Sequence, residues 1–389
     1  MDININPYRM KHFILFVLVF CLLTGQAFAL SKEQHYQSGL INISLGRYIS
    51  AIDDFTQAIA LDPVYLQAYQ QRALAFRKQG MNDKAIFDLN KIVFIDVDNF
   101  DAYVGRAQAY ADLGVFNNAI KDYSRALSLK PDQHYLYNQR GLAYANKKMY
   151  DDALEDFTRA IGLNPAVAEY HFNRGIAYGI KRLYDAAVKD FSKAIDLGLQ
   201  DEKVYYKRGN IYKELGFYDK ALEDYAKAIE LNPDRGEYYF GHGMVAGLKG
   251  LYDIAVSDFS KALEIYPSDV LSLFNRGKIY EHLSLYAQAV SDYSKVLRFD
   301  PKDVDALSAR GRTYAGMGKI DEALADLSKA IRLDGSNEEV FLDRGYVYLN
   351  KKSYERAAQD FQRALSIKPS SKRAMEAFEQ LKKSGGMGS

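Results

Sequence analysis

Apolar positions along this chain form two helical stripes that return at a fixed interval. In the segment "QRGLAYANKKMYDDALEDFTRAIGLNP", residues 139–165, apolar side chains recur three or four places apart, first around Tyr144 and then from Tyr150 to Ile161. This spacing predicts two amphipathic helices in succession. The segment "NRGIAYGIKRLYDAAVKDFSKAIDLGL" repeats the same pattern one step later.

The interval between these segments is 34 residues, and it holds over ten consecutive units counted from Lys32. We number the places of each unit from 1 to 34. The eighth place always holds a small residue: Gly39, Ala73, Ala107, Gly141, Gly175, Gly209, Gly243, Gly277, Gly311 and Gly345. Place 20 is always alanine, and place 24 is always an aromatic residue or leucine. Small residues let two helix backbones approach each other, and the larger residues fill the space between units. Internal periodicity of this length is typical of solenoid architectures.

With these motifs the chain resembles a tetratricopeptide repeat (TPR) protein, a family of 34-residue helix-turn-helix units. The resemblance implies an all-α, right-handed α-solenoid, with a scaffold or protein-binding role. We expect a capping helix at 372–384 and a disordered tail at 385–389. The ten units before them are 32–65, 66–99, 100–133, 134–167, 168–201, 202–235, 236–269, 270–303, 304–337 and 338–371.

The first 29 residues predict a signal peptide. Arg9 and Lys11 precede an uncharged apolar run from Phe13 to Leu23, and small residues follow up to Ala29. The run is shorter than the roughly 20 residues that span a bilayer, although an uncleaved anchor and a start at Met10 remain alternatives. We therefore expect an exported protein, periplasmic or secreted in a bacterium, without a transmembrane segment after cleavage.

Charge and residue types exclude several classes of function. The 51 Lys and Arg side chains nearly balance the 50 Asp and Glu side chains, so the chain lacks the basic excess that nucleic-acid binding needs. The only cysteine, Cys21, lies in the leader, and the histidines lack metal-ligand spacing. We expect no cofactor, no metal and no catalytic activity.

Two places of the repeat carry a recurring charge. Place 23 is always aspartate, and place 7 is arginine except at Ser38 and His242. A ligand-binding ladder and a structural ion pair both fit this pattern. If each aspartate pairs with the arginine of the next unit, Ser38 in the first unit needs no charge, because no earlier unit supplies an aspartate. The exception at Ser38 therefore favours structural ion pairs between successive units. The predicted inter-repeat pairs are Asp54 with Arg72, Asp156 with Arg174, and Asp190 with Arg208.

Place 5 faces the concave groove in proteins of the family that this chain resembles. Four adjacent units hold an aromatic ring there, which is typical of an anchor surface for a peptide or helix; packing of the rings on neighbouring helices is the alternative. The hypothetical binding residues are the rings Phe172, Tyr206, Phe240 and Phe274, with a rim of Ile176, Asn210, Met244, Lys203 and Lys213. The family's clamp for chaperone carboxylates is not expected, because its lysine place holds Tyr36, Gln70, Val104 and Asn138.

Two functions follow as hypotheses. The first is an exported adaptor that binds a protein or peptide in its groove. The second is a structural or self-associating envelope protein without a dedicated ligand. The sequence leaves the partner and the oligomeric state open.

Overall fold

A computed structural model describes residues 30–383, and the predicted signal peptide and tail lie outside this part of the chain. Within it the chain forms 21 helices and no strands. The prediction of an all-α fold built from helix-turn-helix units is confirmed. A continuous right-handed superhelix over all ten units stays a prediction.

The described residues fall into two compact units, with the boundary between Ala177 and Tyr178. Unit 1 contains the first eight helices and most of the ninth, which crosses the boundary. These helices are α1 (Lys32–Ser44), α2 (Tyr48–Leu61), α3 (Leu66–Lys78), α4 (Asn82–Ile95), α5 (Phe100–Asp112), α6 (Phe116–Leu129), α7 (His134–Asn146), α8 (Tyr150–Leu163) and α9 (Ala168–Ile180).

Unit 2 contains the remaining twelve helices. They are α10 (Tyr184–Asp196), α11 (Glu202–Glu214), α12 (Tyr218–Leu231), α13 (Gly236–Leu248), α14 (Tyr252–Ile265), α15 (Val270–His282), α16 (Tyr286–Phe299), α17 (Val304–Gly316), α18 (Ile320–Leu333), α19 (Glu338–Asn350), α20 (Tyr354–Ile367) and α21 (Lys372–Lys383). We call the first helix of each 34-residue repeat its A helix and the second its B helix.

Small residues at place 8 let the A and B helices of one repeat pack closely. A Cβ atom added at Gly141 would stand 2.7 Å from Cε1 of Phe157, and one added at Gly345 would stand 2.4 Å from Cε1 of Phe361. The phenyl rings at place 24 therefore occupy the volume that a larger residue at place 8 would need. Both rings are buried, and they form the centre of each hairpin.

The turn from A helix to B helix needs one residue with a left-handed backbone. Glycine fills this place in six repeats, for example Gly46 with φ 69°. Lys148, Arg182, Ser284 and Lys352 adopt the same conformation with φ between 58° and 62°. Because a Cβ atom is strained there, each of these four turns costs about 1 kcal/mol or more.

Within each compact unit, successive repeats stack through both helices. In unit 1 the B helix α2 packs on the A helix α3 of the next repeat, and α4 packs on α5 in the same way. The A helices also touch one another in sequence, as α11, α13, α15, α17 and α19 do in unit 2. The final helix α21 contacts α19 and α20, so it covers the apolar face that the tenth repeat would otherwise expose. A terminal repeat needs such a cover because it has no neighbour.

The predicted register of the ion pairs is wrong. Both carboxylate oxygens of Asp156 accept hydrogen bonds from Nε and Nη2 of Arg140, at 2.8 and 2.7 Å, within one repeat. Arg72, predicted to bind Asp54, binds Asp88 instead. Likewise Arg208, predicted to bind Asp190, binds Asp224. The A and B helices of one hairpin bring places 7 and 23 together, so Arg174 is not the partner of Asp156.

The remaining nitrogen of each arginine makes the contact between repeats. Nη1 of Arg140 donates to Oγ of Ser124 in the preceding B helix, at 2.9 Å. The same bond joins Arg72 to Thr56, Arg106 to Asn90, Arg174 to Thr158, Arg208 to Ser192, Arg276 to Ser260, Arg310 to Ser294, and Arg344 to Ser328. We call this bond the repeat staple; it runs from place 7 to place 25 of the preceding repeat.

The two exceptions at place 7 agree with this geometry. No repeat precedes Ser38 among the described residues, and Asp54 accepts instead from Ser38 Oγ and Asn42 Nδ2, both at 2.8 Å. In the seventh repeat His242 lies 2.6 Å from Asp258, and place 25 of the preceding repeat is Ala226, which has no polar atom in its side chain. The junction between the sixth and seventh repeats therefore lacks the staple.

Candidate protein-binding surface

Three of the four predicted groove rings lie on consecutive A helices of unit 2. Tyr206, Phe240 and Phe274 are each half-buried. Each rests on the buried ring at place 24 of its own repeat, with centroid distances of 6.0, 5.9 and 5.6 Å to Tyr225, Phe259 and Tyr293. One part of every ring is thus packed and another part remains accessible. Phe172 holds the same place in α9 and belongs to unit 1.

The predicted rim residues differ in their availability. Met244 packs beside Phe240 against the buried core of the seventh repeat. The side-chain oxygen of Asn210 accepts the hydroxyl hydrogen of Tyr225 at 2.7 Å, so this amide supports the core. Lys203 is exposed, and Lys213 forms a 3.2 Å ion pair with Glu214. Ile176, in unit 1, is half-buried.

Burial keeps the tyrosines around this surface uncharged. It raises the pKa of Tyr238, whose ring centroid lies 4.9 Å from that of Tyr206, to about 12. Burial also raises the pKa of Tyr225 beneath Tyr206. A cation lies beside Tyr206, since Lys207 Nζ is 5.9 Å from its ring centroid, whereas the carboxylate of Glu202 acts on the neighbouring Tyr238. The surface therefore presents neutral rings beside both lysine and glutamate side chains.

The last repeats replace the rings with a polar network that the sequence pattern did not reveal. Asp343 is buried in α19 and accepts from Arg312 at 2.9 Å, Arg373 at 3.1 Å and Ser308 at 3.2 Å. Arg312 also pairs with Glu281 at 3.3 Å. Helices α15, α17, α19 and α21 are joined in this way. An aspartate at place 6, where other repeats have amide, glycine, alanine or lysine side chains, was the available signal.

Unit 1 carries a small pocket on its A helices α3 and α5, where place 5 holds Gln70 and Val104. It has a volume of about 170 Å³ and lies between α3 and α5. Leu74 and Val104 contribute apolar surface, whereas Gln70 and Gln108 contribute amides. Arg77 crosses the pocket and donates to Gln108 at 2.5 Å and to Asp112 at 3.1 Å. The Arg77 guanidinium is thus held mainly by the Gln108 and Asp112 side chains of the neighbouring A helix.

Neither a metal centre nor a membrane span is found in the described part of the chain. Within residues 30–383 no three His, Cys, Asp or Glu side chains are grouped so that they could hold a metal ion. No helix in the same range is both long enough and apolar enough to cross a bilayer.

Family models match the repeats that the helices form. Tetratricopeptide repeat models match residues 35–65, 134–166, 168–197, 202–235, 249–304 and 308–372, and a TPR repeat model matches 107–148. These matches cover well over half of the chain. The chain belongs to the tetratricopeptide repeat family. TPR repeats are modules for protein interaction, so this TPR protein has the architecture of an interaction scaffold.

Several solved structures are similar to parts of this TPR protein. YrrB, described as a TPR protein with an unusual peptide-binding site, is 24% identical over 49% of this chain and 99% of its own, with a TM-score of 0.46. MamA is 30% identical over 43% of this chain and 91% of its own, with a TM-score of 0.41. A TPR protein from Parabacteroides merdae is 22% identical over 64% of this chain and 98% of its own, with a TM-score of 0.47. No curated protein sequence matches this chain.

Proposed function

We propose that this TPR protein is an exported adaptor that binds an apolar segment of a partner protein on the A helices of unit 2. The main evidence for this surface is the row of partly accessible rings at Tyr206, Phe240 and Phe274. Each ring is held from below by a buried aromatic side chain. Little side-chain entropy is lost when such a pre-positioned ring meets a partner. Aromatic residues in this arrangement are the common anchors of protein interfaces.

The charges beside the rings favour a partner segment that combines apolar and acidic residues. Lys203 and Lys207 lie on α11, the helix that carries Tyr206, and Lys207 Nζ is 5.9 Å from the centroid of that ring, whereas Lys213 on the same helix is paired with Glu214. Cations at the edge of an apolar surface add to the rate of association and select against basic segments. The proposed mechanism is positional and non-catalytic, because the scaffold holds a partner without changing its covalent structure.

Export is the second part of the proposal, and the predicted leader supports it. Fractionation of cells that express the full chain tests this part directly. We expect the protein outside the cytoplasm and shortened by about 29 residues. A full-length protein retained in the cytoplasm would contradict export. This experiment does not test the binding surface, which is measured separately.

The binding surface is tested by crosslinking capture with the processed protein as bait, followed by titration of the purified partner. Replacing the anchors in the triple variant Tyr206→Ala, Phe240→Ala and Phe274→Ala should abolish saturable binding. A single anchor substitution should cost about 2 kcal/mol, which is about thirtyfold in Kd. Phe217→Ala is the matched control, since Phe217 is 51% exposed but precedes a B helix.

Circular dichroism must show unchanged helix content in every variant, because each anchor also packs on a core ring. Equal binding by the triple variant and the wild-type protein would refute the proposed surface. The second candidate function, a self-associating structural protein, is favoured by a different feature, the exposed phenylalanines of α4.

A further inference from the structure

The pocket on the A helices of unit 1 is separate from the ring surface of the proposed adaptor. It lies between α3 and α5 and has a volume of about 170 Å³. Sites for drug-sized ligands measure roughly 300–1,000 Å³, so this pocket is too small for such a ligand. It has room for about five or six water molecules at ~30 Å³ each, which matches one long side chain.

The pocket has room for a guest because place 6 of the third repeat is Gly105. Three other repeats of unit 1 have glutamine at this place: Gln37, Gln71 and Gln139. A Cβ atom added at Gly105 would lie 3.3 Å from Cδ2 of Leu89, so Leu89 forms the floor beneath this glycine. Leu74 and Val104 also line the pocket. The methylene groups of a guest side chain therefore have apolar surface to contact.

The polar side of the pocket contains a cation with an unused donor. Arg77 Nη1 donates to the side-chain oxygen of Gln108 at 2.5 Å, and Nη2 donates to Asp112 at 3.1 Å. The remaining nitrogen of this guanidinium, Nε, is buried without a hydrogen-bond partner among the described residues. A buried donor without a partner destabilises a folded protein. An acceptor oxygen that enters the pocket would give this N–H its partner after a small rotation of the guanidinium.

Three glutamines add both donors and acceptors. The side-chain amides of Gln70 and Gln71 line the pocket, and no hydrogen bond to either amide is found within residues 30–383. The oxygen of the Gln108 amide accepts from Arg77, so its NH₂ group remains a donor. A guest that both accepts and donates hydrogen bonds can therefore be satisfied here.

The charges around the pocket favour a neutral guest. The Arg77 guanidinium already has an anionic partner in Asp112. A second carboxylate, that of Asp101, lines the pocket and is exposed. A guest carboxylate would be repelled by these two anions, and a guest cation would be repelled by Arg77. An uncharged group with one acceptor and one donor fits both the charges and the hydrogen-bonding groups.

We infer that this pocket binds the side-chain carboxamide of a glutamine residue in a partner protein. The oxygen of the guest accepts from the Arg77 guanidinium, and its NH₂ group donates to the amide oxygen of Gln70 or Gln71. The two methylene groups of the guest lie against Leu74 and Val104. This site is a second point of recognition, and it does not depend on the ring surface of unit 2.

The experiment uses the full chain, expressed with its leader and purified as the cell processes it, with ¹³C-labelled leucine and valine methyl groups. The probe is a five-residue alanine peptide with one central glutamine; acetyl and N-methylamide ends leave glutamine as its only primary carboxamide. Two matched probes carry glutamate or methionine instead. NMR titration should show saturable shifts of the Leu74, Leu89 and Val104 methyl signals with the glutamine peptide. The glutamate and methionine peptides should each bind about tenfold more weakly, because one is repelled and the other lacks the hydrogen bonds.

Substitutions separate recognition from folding. Arg77→Met removes the donor and keeps a long side chain, so the glutamine peptide should bind about tenfold more weakly. Lys78→Met is the matched control, since Lys78 is exposed and does not line the pocket. Asp101→Asn combined with Asp112→Asn should reverse the preference in favour of the glutamate peptide, which a purely structural role would not do. Circular dichroism must show unchanged helix content in each variant.

Three outcomes would overturn the inference. Absence of saturable shifts in the three methyl signals refutes the site. Equal or tighter binding of the glutamate peptide to the wild-type protein refutes a neutral guest. Unchanged affinity in Arg77→Met refutes the role of the guanidinium. Since none of these variants touches Tyr206, Phe240 or Phe274, failure here is distinguishable from failure of the proposed adaptor function.

Discussion

The repeat staple allows a quantitative prediction at the junction of the third and fourth repeats. Arg140 makes two bonds to Asp156 and one to Ser124, so substitutions can separate the bonds within a repeat from the bond between repeats. Ser124→Ala removes only the bond between repeats, and we expect a loss of about 1 kcal/mol. Arg140→Ala removes all three.

The larger effect of Arg140→Ala follows from the burial of its partner. Asp156 is only 3% exposed, and burial raises its pKa although the Arg140 guanidinium opposes the shift. Removal of the cation leaves a buried carboxylate without compensation, which costs about 3–5 kcal/mol in comparable pairs. Proton uptake by Asp156 limits this cost, so we expect the loss to shrink as the pH falls.

Local opening is the appropriate measurement, because a repeat array does not unfold in two states. Native-state amide hydrogen exchange of the full chain gives the opening free energy of α7 and α8 separately from that of the distant helices. Ser124→Ala should reduce protection mainly where α6 meets α7. Arg140→Ala should reduce it throughout α7 and α8.

The seventh repeat offers the converse experiment. Ala226→Ser combined with His242→Arg should install the missing staple and stabilise the junction by about 1 kcal/mol, whereas Ala226→Ser alone should have little effect. The reasoning is refuted if Arg140→Ala costs no more than Ser124→Ala, or if the two substitutions in the seventh repeat act additively.

Two further predictions concern glycine and tyrosine. Gly241→Ala should destabilise α13 by about 1–2 kcal/mol because its Cβ would stand 2.8 Å from Cε1 of Tyr225, whereas Gly162→Ala, with open space around it, should stabilise α8 by about 0.5–1 kcal/mol. Native-state hydrogen exchange of α13 and α8 measures both effects, and equal effects would contradict the packing argument. Tyr238 keeps its proton to a pKa of about 12 in the folded protein, but an unfolded tyrosine ionises near pH 10. Folding stability should therefore fall as the pH rises from about 10 to 12. Exposed tyrosines ionise first, and the remaining tyrosinate absorbance, from buried rings, should rise in step with the loss of helix; ionisation of all tyrosines near pH 10 in a fully helical protein would exclude the effect.

Much of this fold can be predicted from the sequence because every repeat packs its two helices with the same residue types at the same places. The constant small residue at place 8 and the large residue at place 24 predict a close hairpin, and Gly141 against Phe157 confirms it. The aspartates and arginines were recognisable as structural pairs for the same reason. The sequence also led to the hypothesis that the rings of Tyr206 and Phe240 are accessible to a partner. It could not predict how much of each ring is covered by the core.

The sequence by itself determined the helical hairpin, its period and its recurring charges, since these depend on spacing along a helix of known geometry. The tertiary structure alone decided which arginine meets which aspartate, because two neighbours at nearly equal separation in sequence compete for each carboxylate. The helices of one hairpin bring Arg140 to Asp156 and direct its remaining N–H to Ser124. Contacts between helices depend on three-dimensional distance, which no spacing within one helix encodes.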